Sequence, residues 1–186
     1  SNDGRVMRVD AAAMTVETEF RERIRGDVVN VIPPQSAARI ALDAGLAADS
    51  GWCPIKPESF ESARVPGIHV IGDAAIAVPM PKSGFAASSQ AKQAVAAAAA
   101  ALSGRPAPEP VYFNTCYSHV GEEYGISIVG VFRAQGGRLI EVEGSGGISP
   151  RSAALTPNRR AEYRRLEAIY ADGWYESITR EMFGPA

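Results

Sequence analysis

An α/β segment followed by an α+β domain is the fold class that the 186 residues predict, and three observations predict it. A short apolar run, Ile68 to Ile71, ends in Gly72-Asp73 and leads through Met80-Pro81-Lys82-Ser83-Gly84 into a long Ala-rich stretch. That order is strand, turn, loop and helix start, and open α/β sheets place ligands at such strand ends. A Pro-rich hinge with Pro106, Pro108 and Pro110 then marks a domain boundary. Beyond it comes a strong strand, Tyr124 to Phe132, its hairpin turn at Gln135-Gly136-Gly137, and a helical pattern. The expected domains are therefore 4–104 and 108–186.

The elements follow in chain order. Arg5 to Val9 and Met14 to Thr18 predict two strands across a short turn, and Asp27 to Ile32 a buried strand stopped by Pro33-Pro34. Ser36 to Ala44 predicts a short helix with Ile40, Leu42 and Ala44 on its apolar side and Gly45 as its cap. Residues 49–66 form a loop rich in turn formers that holds Cys53. Gly84 to Ser103 is the best helix in the chain, because Ala has the highest helix propensity, and Gly104 and Pro106 end it. Tyr112 to Ser118 is aromatic and polar. Arg138 to Glu143 pairs with the strong strand, and Gly144 to Pro150 is loop. Thr156-Pro157 starts a helix with Tyr163, Leu166, Ile169 and Tyr170 as its stripe. Asp172-Gly173 breaks it, and Trp174 to Phe183 makes a final short helix.

Composition excludes several classes. The chain is 46% hydrophobic with a formal net charge of −2, and it carries no basic stripe for nucleic acid. Its longest apolar run, Ala94 to Leu102, falls far short of the roughly 20 residues that span a bilayer. Cys53 and Cys116 are too few for a disulfide scaffold, and with no CxxC they make no zinc site. His69 and His119 lie far apart and form no metal motif.

The chemistry gathers at "PGIHVIGD" and "MPKSG". These resemble the second flavin-contacting motif of the two-dinucleotide-domain, disulfide-reductase-like flavoproteins. In that superfamily the Asp, here Asp73, bonds the ribityl chain of FAD, and the next helix points its N-terminus at the pyrimidine edge of the flavin. A helix N-terminus stabilises an anion by roughly 0.3–2 kcal/mol, which suits a reduced flavin. "GDVVNVIPPQ", "GWCP", "MPKSGF", "FNTCYS", "YGISIVGVFR", "SGGISP" and "GWYESITREMFG" recur in order. Together they resemble the flavoprotein subunit of flavocytochrome c sulfide dehydrogenase, from about residue 4 to the end.

That resemblance implies a fold and a reaction. Residues 4–104 would be the C-terminal segment of a Rossmann-like FAD-binding domain, and 108–186 the α+β flavin-binding and interface domain. Sulfide would be oxidised at a redox disulfide beside FAD, with electrons passing to a cytochrome c subunit in the periplasm. Cys116 matches one cysteine of that disulfide. Its partner, the GxGxxG fingerprint and the covalent flavin attachment would lie upstream, so the isolated chain is expected to be inactive and to bind FAD weakly or not at all. Asp73, Lys82, Ser83 and Gly84 are the expected cofactor residues, the last three mostly through the helix start, and Trp174 matches an aromatic close to the flavin. A direct Cys53–Cys116 bridge stays open, as does Trp174 as a plain apolar anchor. Two other functions remain: a sulfide:quinone reductase-like flavoprotein, which the short, charge-balanced end of the chain disfavours, and a non-catalytic cytochrome-docking or dimerisation domain.

Overall fold

The computed structural model describes residues 4–150 and 156–184. The chain divides into two compact units between Gln35 and Ser36.

The first unit is an antiparallel sheet of β1 (Val6–Asp10), β2 (Thr15–Thr18) and β3 (Arg23–Arg25), in that order. The expected hairpin is present. Asp10 Oδ1 accepts the Ala13 N–H at 3.0 Å across its turn, and Val9, Val16 and Ile24 align in register as one apolar row. The expected strand over Asp27 to Ile32 does not form. Val28 and Ile32 are 86% and 80% exposed, no ladder bonds engage the segment, and Pro33-Pro34 remove two donors at its end. The third strand is instead the shorter β3.

The second unit begins with α1 (Arg39–Asp43). Gly45, at φ +70°, supplies the left-handed residue that ends it. The expected apolar side is wrong. Ile40 is 80% exposed, and Ala41 with Leu46 faces the core, because five residues give one helical turn and Ala41 occupies its inner side. Residues 68–71 are not a ladder strand either. Isolated bridges pair Cys53 with Ala75, Ile55 with Ser62 and Glu61 with His69. Val70 is buried and donates its N–H to Phe60 O at 2.9 Å, whereas Ile68 and Ile71 are exposed. With no neighbouring strand to extend, the run closes into a 3₁₀ turn, Gly72–Ala74.

α2 (Gly84–Leu102) forms as expected, and Gly104 at φ +64° follows its end. A four-stranded antiparallel sheet comes next: β4 (Val111–Gly121), β5 (Tyr124–Gln135) and β6 (Arg138–Glu141) in order, with β7 (Gly147–Ile148) pairing further along β5. The loop expected over 144–150 thus contributes a two-residue strand, and the polar-aromatic stretch before it is a full strand. The pairings of the described residues make no parallel ladder; the Cys53–Ala75 bridge is their parallel contact.

The core joins the 36–80 region to the sheet. Cys53, Phe60 and Tyr112 are fully buried. Phe60 and Tyr112 meet edge to face at 5.1 Å, and the Tyr112 phenol donates to Pro57 O at 2.6 Å. α2 lies along the outer edge of β4, where Ser89 Oγ accepts the Phe113 N–H at 2.9 Å and Gln93 Nε2 donates to Val111 O at 3.2 Å.

α3 (Pro157–Phe183) is one helix of 27 residues. The expected break at Asp172-Gly173 is absent. A glycine within a helix costs about 1 kcal/mol against Ala, and packing on both sides offsets it: Ala168, Ala171 and Ile178 are buried, and Asp172 pairs with His119 on β4 at 3.0 Å. Pro157 occupies the first turn as expected, while Thr156 makes no side-chain cap. Against β5, Glu167 accepts from Ser127 Oγ at 2.6 Å and from Ser149 Oγ, and Arg164 Nη1 meets Glu167 Oε2 at 2.8 Å. Arg164 Nη2 also donates to Pro150 O at 2.5 Å.

Gly125 makes that contact possible, since a Cβ there would lie 2.4 Å from the Ala168 backbone nitrogen. Gly125→Ala is expected to push α3 off the sheet and cost about 1–3 kcal/mol, the usual range for overpacking. Urea unfolding followed by far-UV circular dichroism measures the loss.

Candidate functional site

A cleft of about 540 Å³ belongs to the first unit and is lined mainly by Val6, Val16, Ile24, Val29, Val31 and Pro34. It offers no thiol, carboxylate or histidine. The chemistry lies elsewhere, at the start of α2, where a smaller cleft of about 230 Å³ opens between Gly72–Val78 and Met80–Ser83, with Trp52 on its wall.

Gly72, at φ +68°, allows the tight turn below this cleft. Its N–H donates to Gln90 Oε1 at 2.7 Å, so a buried side chain of α2 holds the 3₁₀ turn against the helix. Asp73 follows with its carboxylate exposed, and its backbone carbonyl accepts from Lys82 Nζ. The Lys82 ammonium also rests 3.5 Å from the centroid of the Trp52 ring, a cation–π contact. One positive charge is thereby held at the cleft rim by an indole face and a carbonyl.

Ser83 caps α2. Its Oγ accepts the Ala86 N–H at 3.0 Å and donates to Asn114 Oδ1 at 2.7 Å. Among the described residues no acceptor takes the N–H groups of Gly84 and Phe85, the orphan donors that every helix start carries. A Cβ on Gly84 would meet nothing within 4 Å, so the helix mouth is open there.

Cys116 reaches the same place from β4. Residues 112, 114 and 116 alternate onto one face of the strand: Tyr112 enters the core, Asn114 is 2% exposed, and Cys116 is half-buried at the outer end. Cys116 Sγ lies 3.5 Å from Asn114 Oδ1, the same oxygen that Ser83 engages. Asn114 Nδ2 donates to Ile128 O at 3.3 Å, which directs the amide oxygen toward the other two.

Trp174 arrives on the opposite face of β4. Its ring lies 5.8 Å from Tyr117 and 6.0 Å from Phe85, so it joins α3 to the first turn of α2. The indole Nε1 is buried with no partner among the described residues. Burial and the nearby Glu167 charge push the Tyr117 phenol above its ordinary range.

The structure thus gathers Lys82, Ser83, Gly84 and Cys116 around one helix start, reaches Asp73 through the Lys82 contact, and sets Trp174 behind them. Cys53 and Cys116 are both free thiols, which answers the bridge left open between them. Asn114, Trp52 and Gln90 escaped the sequence reading. Asn114 was findable: strand alternation through "FNTCYS" puts it beside Cys116. Trp52 and Gln90 carry no local signal. Among the described residues no group of three or more His, Cys, Asp or Glu side chains could hold a metal ion, and no helix is long and apolar enough to cross a membrane.

Comparison with known proteins bears on the C-terminal part of the chain. Residues 108–183 match the family model described as flavocytochrome c sulphide dehydrogenase, flavin-binding. This part of the chain is similar to that flavin-binding family. The match starts inside the Pro-rich hinge, at Pro108, and includes Asn114, Cys116 and Trp174. For the chain as a whole, a solved structure from Tetrahymena thermophila, a cryo-EM model of the mitochondrial ATP synthase F1Fo tetramer, contains a chain of similar fold, with a TM-score of 0.60 at 14% identity. The likeness covers 98% of this chain and 43% of that one, so this chain spans less than half of its length.

The two thiols differ in a measurable way. Burial pushes Cys53 above its ordinary value of 9.0, an effect that the Lys82 charge partly opposes. Iodoacetamide at neutral pH is therefore expected to label Cys116 first and leave Cys53 unlabelled in the folded chain, as peptide mass spectrometry would show. The linkage has a sign. With its folded value raised, Cys53 stays protonated in the native state while the unfolded chain ionises, so its stabilising contribution is full below about pH 9 and is lost as pH rises through the folded value. Cys53→Ala is expected to flatten that alkaline decline in chemical unfolding curves.

Proposed function

We propose that this chain is the C-terminal part of an FAD-dependent sulfide:cytochrome c oxidoreductase, with Cys116 as one half of its redox disulfide. Residues 4–104 are read as the returning segment of a Rossmann-like FAD domain and 108–186 as the flavin-binding and interface domain. The family match beginning at residue 108 supports the second assignment. The observation that carries the reading is the shared acceptor: Asn114 Oδ1 meets both the cap of α2 and the thiol of Cys116.

The residues suit a flavin. Its anionic edge needs donors and positive charge, and the α2 start offers the Gly84 and Phe85 N–H groups, an open approach at Gly84, and the Lys82 ammonium. Asp73 would hold the ribityl hydroxyls with its free carboxylate, and Trp174 would back the site. The cleft of about 230 Å³ is smaller than the usual 300–1,000 Å³ of a complete ligand pocket, so the rest of the cofactor would lie against other parts of a longer protein. Bound FAD would supply an acceptor for an electron pair.

The chain's own chemistry is thiol exchange. Hydrosulfide attacks the disulfide between Cys116 and an upstream cysteine. The S–S bond breaks, one sulfur becomes a persulfide and the other leaves as a thiolate that holds the electron pair. An accessible sulfur is required, and half-buried Cys116 meets that need while fully buried Cys53 does not. A cytochrome c subunit is the partner and the periplasm the compartment.

In the full-length protein, sulfide-dependent reduction of cytochrome c is expected to fall to the uncatalysed background in Cys116→Ser, with the flavin absorbance retained. Full activity in that variant rules the assignment out. Reduction of quinone but not of cytochrome c favours the quinone reductase instead, and no turnover by the wild-type protein leaves a docking module.

A further inference from the structure

A single buried oxygen serves both halves of the site, and its valence is full. An amide oxygen has two lone-pair directions. One receives the Ser83 hydroxyl at 2.7 Å and the other faces the Cys116 sulfur at 3.5 Å. The amide cannot turn to escape, because Nδ2 is held by Ile128 O. The Ser83 hydroxyl is committed too, since its oxygen accepts the Ala86 N–H of α2. The unbroken path is therefore sulfur, amide oxygen, hydroxyl, helix N–H.

We propose that Asn114 is the positioning residue that ties the chemical state of Cys116 to the cap of α2. The function depends on the state of the sulfur. A thiol donates to Oδ1. A disulfide sulfur has no proton to donate, and a thiolate is repelled by the amide's partial negative charge. When Cys116 stops donating, Oδ1 has only Ser83 as donor and the cap tightens; when the thiol returns, the two donors share it. Asn114 thereby disfavours a lingering thiolate and signals its presence to the helix start. The linkage to flavin chemistry rests on the function proposed above, whereas the linkage between thiol and cap does not.

Raman spectroscopy of the reduced 186-residue chain tests it through the S–H stretch. Loss of one band in Cys116→Ala assigns the Cys116 signal against that of buried Cys53. Asn114→Leu is expected to move the Cys116 band to higher wavenumber, as a thiol without an acceptor. Ser83→Ala is expected to move it to lower wavenumber, because Oδ1 then serves the thiol alone. The Cys53 band stays in place in both. Alkylation of Cys116 at one fixed pH should quicken about threefold in Asn114→Leu and slow by a similar factor in Asn114→Asp, a size typical of one neutral hydrogen bond. General loosening would move both rates the same way, and that result overturns the proposal. So does an unmoved Cys116 band in Ser83→Ala, which keeps Asn114 in place and decides the matter if Asn114→Leu does not fold. Opposite band shifts in this chain, together with a full-length protein that fails to oxidise sulfide, would sink the proposed function and leave the thiol–cap linkage standing.

Discussion

Two side chains of α2 stand in for a missing neighbour strand, and the site depends on them. β4 is an edge strand, and an edge exposes backbone donors and acceptors that must find partners. Ser89 and Gln93 provide them at Phe113 and Val111. Those bonds lock the helix axis alongside the strand. From there the remaining geometry follows: the helix start arrives one turn and a half earlier, level with the outer half of β4, where Asn114 and Cys116 project. The Ala-rich face of α2 matters for the same reason. Ala86, Ala94, Ala97 and Ala100 are buried, and small side chains let a helix lie close to its neighbours.

The opposite face of the sheet is organised by polar groups. Arg164 and Glu167 are buried together on α3 and meet the hydroxyls of Ser127 and Ser149 and the carbonyl of Pro150. A buried ion pair is weak evidence of net stability, because desolvation offsets much of the attraction. Its physical effect here is to specify one register of α3 on β5, with Gly125 giving the backbone clearance. That register carries Trp174 to its place between Phe85 and Tyr117, so a network remote from the cleft sets the aromatic wall behind it.

The candidate site therefore sits on two rigid supports and one irregular one. α2 and β4 are regular elements joined by hydrogen bonds. The Gly72–Val78 segment is irregular, and Gln90 pins it to the helix at the Gly72 N–H while Lys82 spans from Trp52 to the Asp73 carbonyl. A carbonyl and an indole face together hold a cation without neutralising it, which leaves its charge available to an anion in the cleft.

Local signals were enough for α2, for the β1–β2 and β5–β6 hairpins, for the Gly45 and Gly104 stops, and for the grouping of Lys82, Ser83 and Gly84 at a helix start. Each is written in a short window of residues: an Ala run, an alternation, a glycine at positive φ. The motifs around Cys116 and Trp174 also pointed to the flavin-binding family that residues 108–183 match. Tertiary structure alone decided the rest. Asp27 to Ile32 has strand-like residues but no strand to pair with. Ile68 to Ile71 has the composition of a buried strand, yet no ladder extends beside it. Asp172-Gly173 reads as a break, and packing on Ala168, Ala171 and Ile178 carries the helix through it. The meeting of Ser83 with Cys116 belongs to the same class. They lie 33 residues apart in the sequence and touch through Asn114 only because α2 closes the edge of β4, and a hydrogen bond between distant segments leaves no trace in the local pattern of either.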